Sequence, residues 1–331
     1  MTNANESFRA WRCHAFGDYH DLCIETVAAH PPGPGEIDVD IHAFAPGFPD
    51  MLMVQGLYQL KPALPFTPCA EFAGEVRTIG ADVVDFAVGD RVMGSVRFGA
   101  AAERVIVPAA QCYRLPADYG FALGAAFSVG YQTAYVALVA RGHLEAGETV
   151  LVLGAAGGVG LAAVDLAKHL GARVIALASG AEKLALARAK GADHVLDYAA
   201  GSFRTAVKEL TDGRGADVVF DPVGGDGFDE ALRCIAPFGR VLVIGFASGR
   251  IPSVAVNHVL IKQYAIIGVR AGEYGRLDPT AGAVVRAALA DLAASGAVRP
   301  HVCARLPFGD LVAAYDAIAA RRVSGRIVIE R

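Results

Sequence analysis

The chain has 331 residues, 54% hydrophobic and 19% charged, with a formal net charge of −4. That length predicts about two domains. No uninterrupted apolar run reaches the roughly 18 residues of a membrane span, and an acidic balance without a basic block argues against a charged nucleic-acid surface.

Taken in chain order, Met1–Phe8 is polar and lacks the apolar stretch of a secretory signal. It is expected to be a disordered tail. Up to about residue 125 the texture is Pro- and Gly-rich with short strand-like runs. Ile37-Asp-Val-Asp-Ile-His-Ala43 alternates apolar and polar residues, as a half-buried strand does. Phe72–Ile79 and Arg104–Val107 read the same way. Turns are expected at Pro31–Gly35, Gly89-Asp90 and Leu115-Pro116. The six cysteines, Cys13, Cys23, Cys69, Cys112, Cys234 and Cys303, are scattered without a C-x-x-C pair. That argues against a disulfide framework and a four-cysteine zinc site. A reducing cytoplasm is the simplest home.

The most informative stretch is Thr149-Val-Leu-Val-Leu-Gly-Ala-Ala-Gly-Gly-Val-Gly160. Four apolar residues predict a buried strand, and a glycine-dense turn follows. An apolar-periodic helix carrying Leu161, Val164, Leu166, Ala167 and Leu170 comes next, with Gly171 as its C-cap. Backbone N–H groups at such a helix start, and its dipole, hold a pyrophosphate. Ala155, Gly157, Gly158, Val159 and Gly160 are therefore candidate cofactor contacts. Ala155 stands where the usual fingerprint has its first glycine.

Further strands are predicted at Val150–Leu153, Val174–Leu177, His194–Leu196, Val218–Phe220, Val241–Ile244 and Ile266–Val269. Alternating strands and helices imply an α/β fold with a doubly wound parallel sheet. Gly282–Ala294 and Gly309–Arg322 read as helices, and Val302–Leu306 and Gly325–Ile329 as strands. The late strands predict that the chain end rejoins the first module. The apolar run Ala265–Val269 would lie at a sheet edge and invite a second copy, so a homodimer is expected.

A β-rich first module, a Rossmann unit and a returning tail resemble the medium-chain dehydrogenase/reductase superfamily. Gly154-Ala-Ala-Gly-Gly-Val-Gly160, Lys61-Pro-Ala-Leu-Pro-Phe66, Asp221-Pro-Val-Gly-Gly225 and Gly245-Phe-Ala-Ser-Gly249 narrow the resemblance to its quinone oxidoreductase, zeta-crystallin-like branch. The resemblance implies a GroES-like β-rich domain over residues 1–124 and 300–331, and a Rossmann NADPH-binding domain over 125–299. Zinc-dependent relatives carry ligands at positions matching Gly47 and Ala70, which cannot ligate through a side chain. Cys69 and Glu71 remain there, and zinc needs three or four donors. A zinc-free enzyme is expected.

An acidic residue after the second strand would hold a free ribose 2′-hydroxyl. Ser179 stands there instead, with Lys183 four residues on and Glu182 beside it. The resemblance assigns the 2′-phosphate of NADPH to Lys183 and Tyr198, with Arg321 an additional candidate. A solvated helix lysine and a packing aromatic are the structural alternatives. The first helix of the nucleotide domain is expected to open at Tyr131-Gln-Thr133, with Thr133 near the nicotinamide carboxamide. Phe246, Ser248, Val269 and Arg270 follow strand ends and complete the cofactor set.

With no Lewis acid to polarise a carbonyl, a quinone is the favoured acceptor. The resemblance places Tyr58 at the substrate, either as proton donor or as a stacking aromatic. Gly47 replaces a family asparagine near the nicotinamide, and Asp50 reads as structural. The alternatives are NADPH-dependent reduction of the C=C bond of enals, enones or enoyl thioesters, and an NADPH-binding structural or RNA-binding protein.

Overall fold

Ile37, Val39, Ile41 and Ala43 bury their side chains from strand β3 (Glu36–Ala45). In the computed structural model, which describes residues 6–331, two strands precede it: β1 (Ser7–Arg12) and β2 (Cys23–Ala28), an antiparallel ribbon. β4 (Glu71–Ile79), β5 (Arg91–Ser95), β6 (Arg104–Pro108) and β7 (Cys112–Arg114) follow. Their shared core includes Phe44, Phe72, Val76, Val92 and Val107.

Two expectations are corrected here. Asp38 lies on the polar side of the alternation, yet it is only 1% exposed. Arg104 of β6 crosses to ion-pair with it, and a carboxylate so buried needs that partner. The polar leader is structured from Glu6 onward: Glu6 holds Arg104 at 2.9 Å and Arg77 at 2.8 Å, and Ser7 begins β1. The rest of that expected tail, residues 1–5, lies outside the described residues.

The second unit, Gly130–Arg299, is built on six strands. These are β8 (Thr149–Val152), β9 (Arg173–Ala178), β10 (His194–Asp197), β11 (Ala216–Asp221), β12 (Ile235–Val243) and β13 (Ala265–Gly268). All pairings are parallel, in the order β10-β9-β8-β11-β12-β13. This is the doubly wound order of a dinucleotide-binding fold. Every residue of β8 and β11 is buried, as central strands covered on both faces require. β13 is the edge, and Ile266 on it is 39% exposed. The helix that bears Thr133 begins at Ser128, not at Tyr131.

The tail returns to the first unit as β14 (Val302–Pro307) and β15 (Arg326–Glu330). β15 pairs parallel with β14 and antiparallel with β3, Ile329 opposite Phe44. Its buried run Ile327-Val328-Ile329 suits that central place. The resulting sheet runs β14-β15-β3-β4-β5-β7, with β6 on β3. The chain is thus an α/β protein with a Rossmann unit and a GroES-like β-rich unit.

Candidate functional site

In the Rossmann unit the glycine turn leaves β8 with Gly154 at φ +59° and enters the helix Gly158–His169 through Gly157 as N-cap. The Ala155 N–H donates to Leu177 O at 2.8 Å, which ties the turn to β9. Gly160 packs against the turn so closely that a Cβ would lie 2.2 Å from Gly154 O. The N–H groups of Gly158, Val159 and Gly160 stand in the first helical turn and have no acceptor within the helix. Together with the dipole they form an anion cradle.

Most of the other candidates in this unit lie at or just past the carboxyl ends of neighbouring strands. Ser179 is exposed after β9, and Lys183 is half-exposed in the first turn of the helix Ala181–Ala189. Tyr198 follows β10, and its hydroxyl accepts the Gly154 N–H at 3.0 Å. Its ring sits edge-on to Phe203, so it packs and also keeps one O–H to donate. Burial pushes its phenol up, which keeps that proton in place. Backbone amides engage both oxygens of Asp197 beside it: Gly180 N–H at 3.3 Å and Ala199 N–H at 2.8 Å.

Phe246 and Ser248 follow β12, where the loop is pinned by Ala247 N–H to Pro222 O and Ser248 N–H to Val223 O. Val269 follows β13, 7% exposed, its N–H donating to Val243 O, and Arg270 beside it is exposed. Thr133 is buried on its helix, away from these strand ends in sequence, and Gln132 beside it reaches Ala271 O at 3.5 Å.

Asp221 was legible only as part of a motif. Its Oδ1 accepts the Val223 and Gly224 N–H groups at 2.7 and 2.8 Å and shapes the turn that Phe246 covers. Its Oδ2 is buried without a hydrogen-bond partner, and burial raises its pKa. The Asp-x-x-Gly spacing is the available signal for such an Asx-type turn.

In the GroES-like unit, Gly47 caps the helix Phe48–Val54 and its N–H donates to Asp50 Oδ2 at 2.7 Å. Burial pushes Asp50 up to about 6, against the opposing pull of that N–H and of Arg326. Tyr58 follows this helix, half-buried against the core, its N–H held by Leu52 O. Arg321 is exposed after the helix Leu311–Ala319, with φ +55°.

The donors present at the matching positions decide whether zinc fits. Gly47 and Ala70 offer none. Cys69 Sγ lies 3.6 Å from the Tyr315 hydroxyl, and burial holds its thiol proton on. Glu71 is ion-paired with Arg326 from β15 and accepts the Val129 N–H at 2.6 Å. A guanidinium thus occupies the carboxylate a metal would need, and the residues do not fit the ion. No sequence pattern announced Arg326, which arrives from the far end of the chain.

A family model described as an alcohol dehydrogenase GroES-like domain matches residues 33–117, and one described as a zinc-binding dehydrogenase matches residues 158–287. A quinone oxidoreductase-like protein 2 homolog of Nematostella vectensis is 36% identical, covering 98% of this chain and 89% of that protein. A quinone oxidoreductase of Pseudomonas aeruginosa is 35% identical, covering 95% of this chain and 97% of that one. A mycobacterial protein solved in complex with NADPH superposes with a TM-score of 0.90 at 32% identity, covering 98% of this chain and all of that one.

Proposed function

Because the chain belongs to the medium-chain dehydrogenase/reductase family, among its quinone oxidoreductase-like members, we propose that it transfers hydride from NADPH to a quinone without zinc. The observation that carries this is the set of cofactor candidates past the carboxyl ends of five of the six parallel strands, around an open helix N-terminus. When bound, NADPH supplies the hydride.

The protein's own residues do the rest. Gly158, Val159 and Gly160 donate backbone N–H groups to the pyrophosphate. Ser179 leaves the 2′-phosphate unopposed, Lys183 supplies a positive charge, and the Tyr198 O–H donates to the same group. Thr133, Phe246, Ser248 and Val269 orient the nicotinamide. Tyr58 donates a proton to the reduced acceptor. A quinone suits a site without a Lewis acid, because the arriving charge spreads onto a conjugated oxygen and needs only a donor. Zinc independence rests on the commitment of Glu71 to Arg326.

The test follows NADPH oxidation with ortho- and para-quinones, then with enones and an enoyl-CoA. Turnover with quinones is expected. Turnover confined to enones assigns the protein to C=C reduction, and tight NADPH binding without turnover assigns it a binding role. Tyr58→Phe is expected to lower kcat about 100-fold with little change in KM. An unchanged kcat removes Tyr58 as donor.

Cofactor choice has its own measurement. Lys183→Ala is expected to weaken NADPH binding about tenfold, close to 1.4 kcal/mol, and to leave NADH binding as it was. Equal affinity of the unaltered protein for both cofactors overturns the assignment.

We also propose a homodimer in a reducing cytoplasm. β13 is an edge strand, and the helix Val256–Lys262 before it exposes Val256, Leu260 and Ile261 at 81%, 76% and 74%. An exposed apolar edge of this kind pairs with a second copy. Light scattering is expected to return twice the chain mass, and Ile266→Lys half of that; a monomeric unaltered protein sinks the proposal. Among the described residues no helix is long and apolar enough to cross a membrane.

A further inference from the structure

We propose that His14, Cys23 and Glu25 form a surface site for a borderline divalent cation, zinc by preference. Cys23 and Glu25 lie on β2 and His14 two residues past the end of β1, ahead of both stretches that match family models. Among the described residues they are the group of His, Cys, Asp or Glu whose ligand atoms converge, all within 4.8 Å of one another.

The scaffold explains the convergence. Cys23 and Glu25 are two apart on β2 and so share a face of the ribbon. Arg12 stands opposite Cys23, and His14 follows two residues on. The intervening Cys13 exchanges both backbone hydrogen bonds with Phe66, at 2.8 and 3.1 Å, which anchors the chain where His14 leaves it. His14 Nε2 lies 2.7 Å from Glu25 Oε1, and Cys23 Sγ lies 3.8 Å from the same oxygen.

Those separations are near what a tetrahedral ion needs. Zinc bonds of about 2.0–2.3 Å hold neighbouring donors roughly 3.3–3.7 Å apart. The imidazole and carboxylate, 2.7 Å apart, must part slightly to admit the ion. His14 and Cys23 are exposed and have room to rotate. A thiolate, an imidazole and a carboxylate select zinc over magnesium or calcium, with water as the fourth ligand.

Two features oppose binding and set its character. Arg12 Nε lies 3.8 Å from Glu25 Oε2, a fixed positive charge beside the ion. Burial and the Glu25 carboxylate hold the Cys23 proton on. The metal must displace that proton to solvent, so binding releases one proton from the thiol. None of the three ligands belongs to the Rossmann unit or to the residues assigned to cofactor and acceptor.

The experiment titrates tag-free, reduced, full-length protein with Co²⁺ as a spectroscopic stand-in, then with Zn²⁺ against a chromophoric chelator. One equivalent of Co²⁺ is expected to raise a thiolate-to-metal charge-transfer band in the near ultraviolet, and Zn²⁺ to erase it. Cys23→Ser is expected to abolish the band. His14→Ala and Glu25→Gln are expected to weaken Zn²⁺ binding about tenfold or more, the usual scale for damage to a metal site. Cys303→Ser, at another exposed cysteine, is expected to change nothing. The proposal is overturned by cobalt binding without the band, by a band that follows Cys303, or by equal zinc affinity in the His14→Ala and unaltered proteins.

Discussion

Replacing Gly160 by alanine is expected to weaken NADPH binding roughly 5- to 150-fold. The added Cβ would lie 2.2 Å from Gly154 O and 2.9 Å from its carbonyl carbon, both backbone atoms that no rotamer change can move aside. Either the helix Gly158–His169 lifts from the turn or the turn opens. Both movements spoil the alignment of the N–H groups at Gly158 and Val159, and with it the phosphate cradle. Overpacking of this kind costs about 1–3 kcal/mol, roughly a 5- to 150-fold loss of affinity when it falls on the binding-competent state. Calorimetric titration with NADPH checks it, with thermal denaturation alongside. Gly147→Ala is a useful comparison: Gly147 has positive φ, but a methyl group there would meet no atom within 4 Å, so only backbone strain is added. Binding within twofold of the unaltered protein in Gly160→Ala would refute the cradle.

The second large effect is expected in the GroES-like unit, at the Glu71–Arg326 pair. The Glu71 side chain is 2% exposed and that of Arg326 is 10% exposed. Removing one partner leaves a buried charge without its ion-pair partner, a loss of about 3–5 kcal/mol that Asp50 moderates when Glu71 is the residue removed. Glu71→Gln and Arg326→Met are each expected to lose stability on that scale in chemical denaturation. The double variant is expected to recover part of the summed loss, because the Glu71 and Arg326 charges leave together while Asp50, which also faces Arg326, stays behind and holds its proton more tightly. Strict additivity of the two single losses would show that the pair is not coupled.

The same cluster has a pH signature. Asp50 holds its proton more tightly folded, at about 6, than unfolded, near 3.8. The folded state therefore binds more protons in that window, and this group's contribution to stability falls as pH rises from about 4 to 6. Asp50→Asn is expected to flatten that part of the profile and to leave the acid side intact.

The Rossmann unit was legible because its signals are local. Apolar runs of strand length, helical periodicity and a glycine-dense turn placed Val150–Leu153 and Val174–Leu177 within a residue or two of β8 and β9. The start of β12 was not legible. The strand is expected only from Val241, yet it runs from Ile235 through Pro237, Phe238 at φ +61° and Gly239. Its pairing with β11 shifts register between Ala216 and Val218, so the irregularity is absorbed rather than ending the strand. The ribbon of β1 and β2 escaped because a polar leader carries little core pattern, and its order comes from Glu6, Arg77 and Arg104 meeting in space.

The sequence by itself determined the α/β class and the glycine turn at the start of the helix Gly158–His169, since burial period and turn chemistry are properties of neighbours in the chain. Only the tertiary structure decided which side chains meet. Arg326 reaches Glu71 across 255 positions, Arg104 buries Asp38, Tyr198 takes the Gly154 N–H, and His14 arrives beside Cys23 and Glu25. Such partnerships depend on strand register and on charges that must be paired once water is removed. Neither condition leaves a mark on the local pattern of residues.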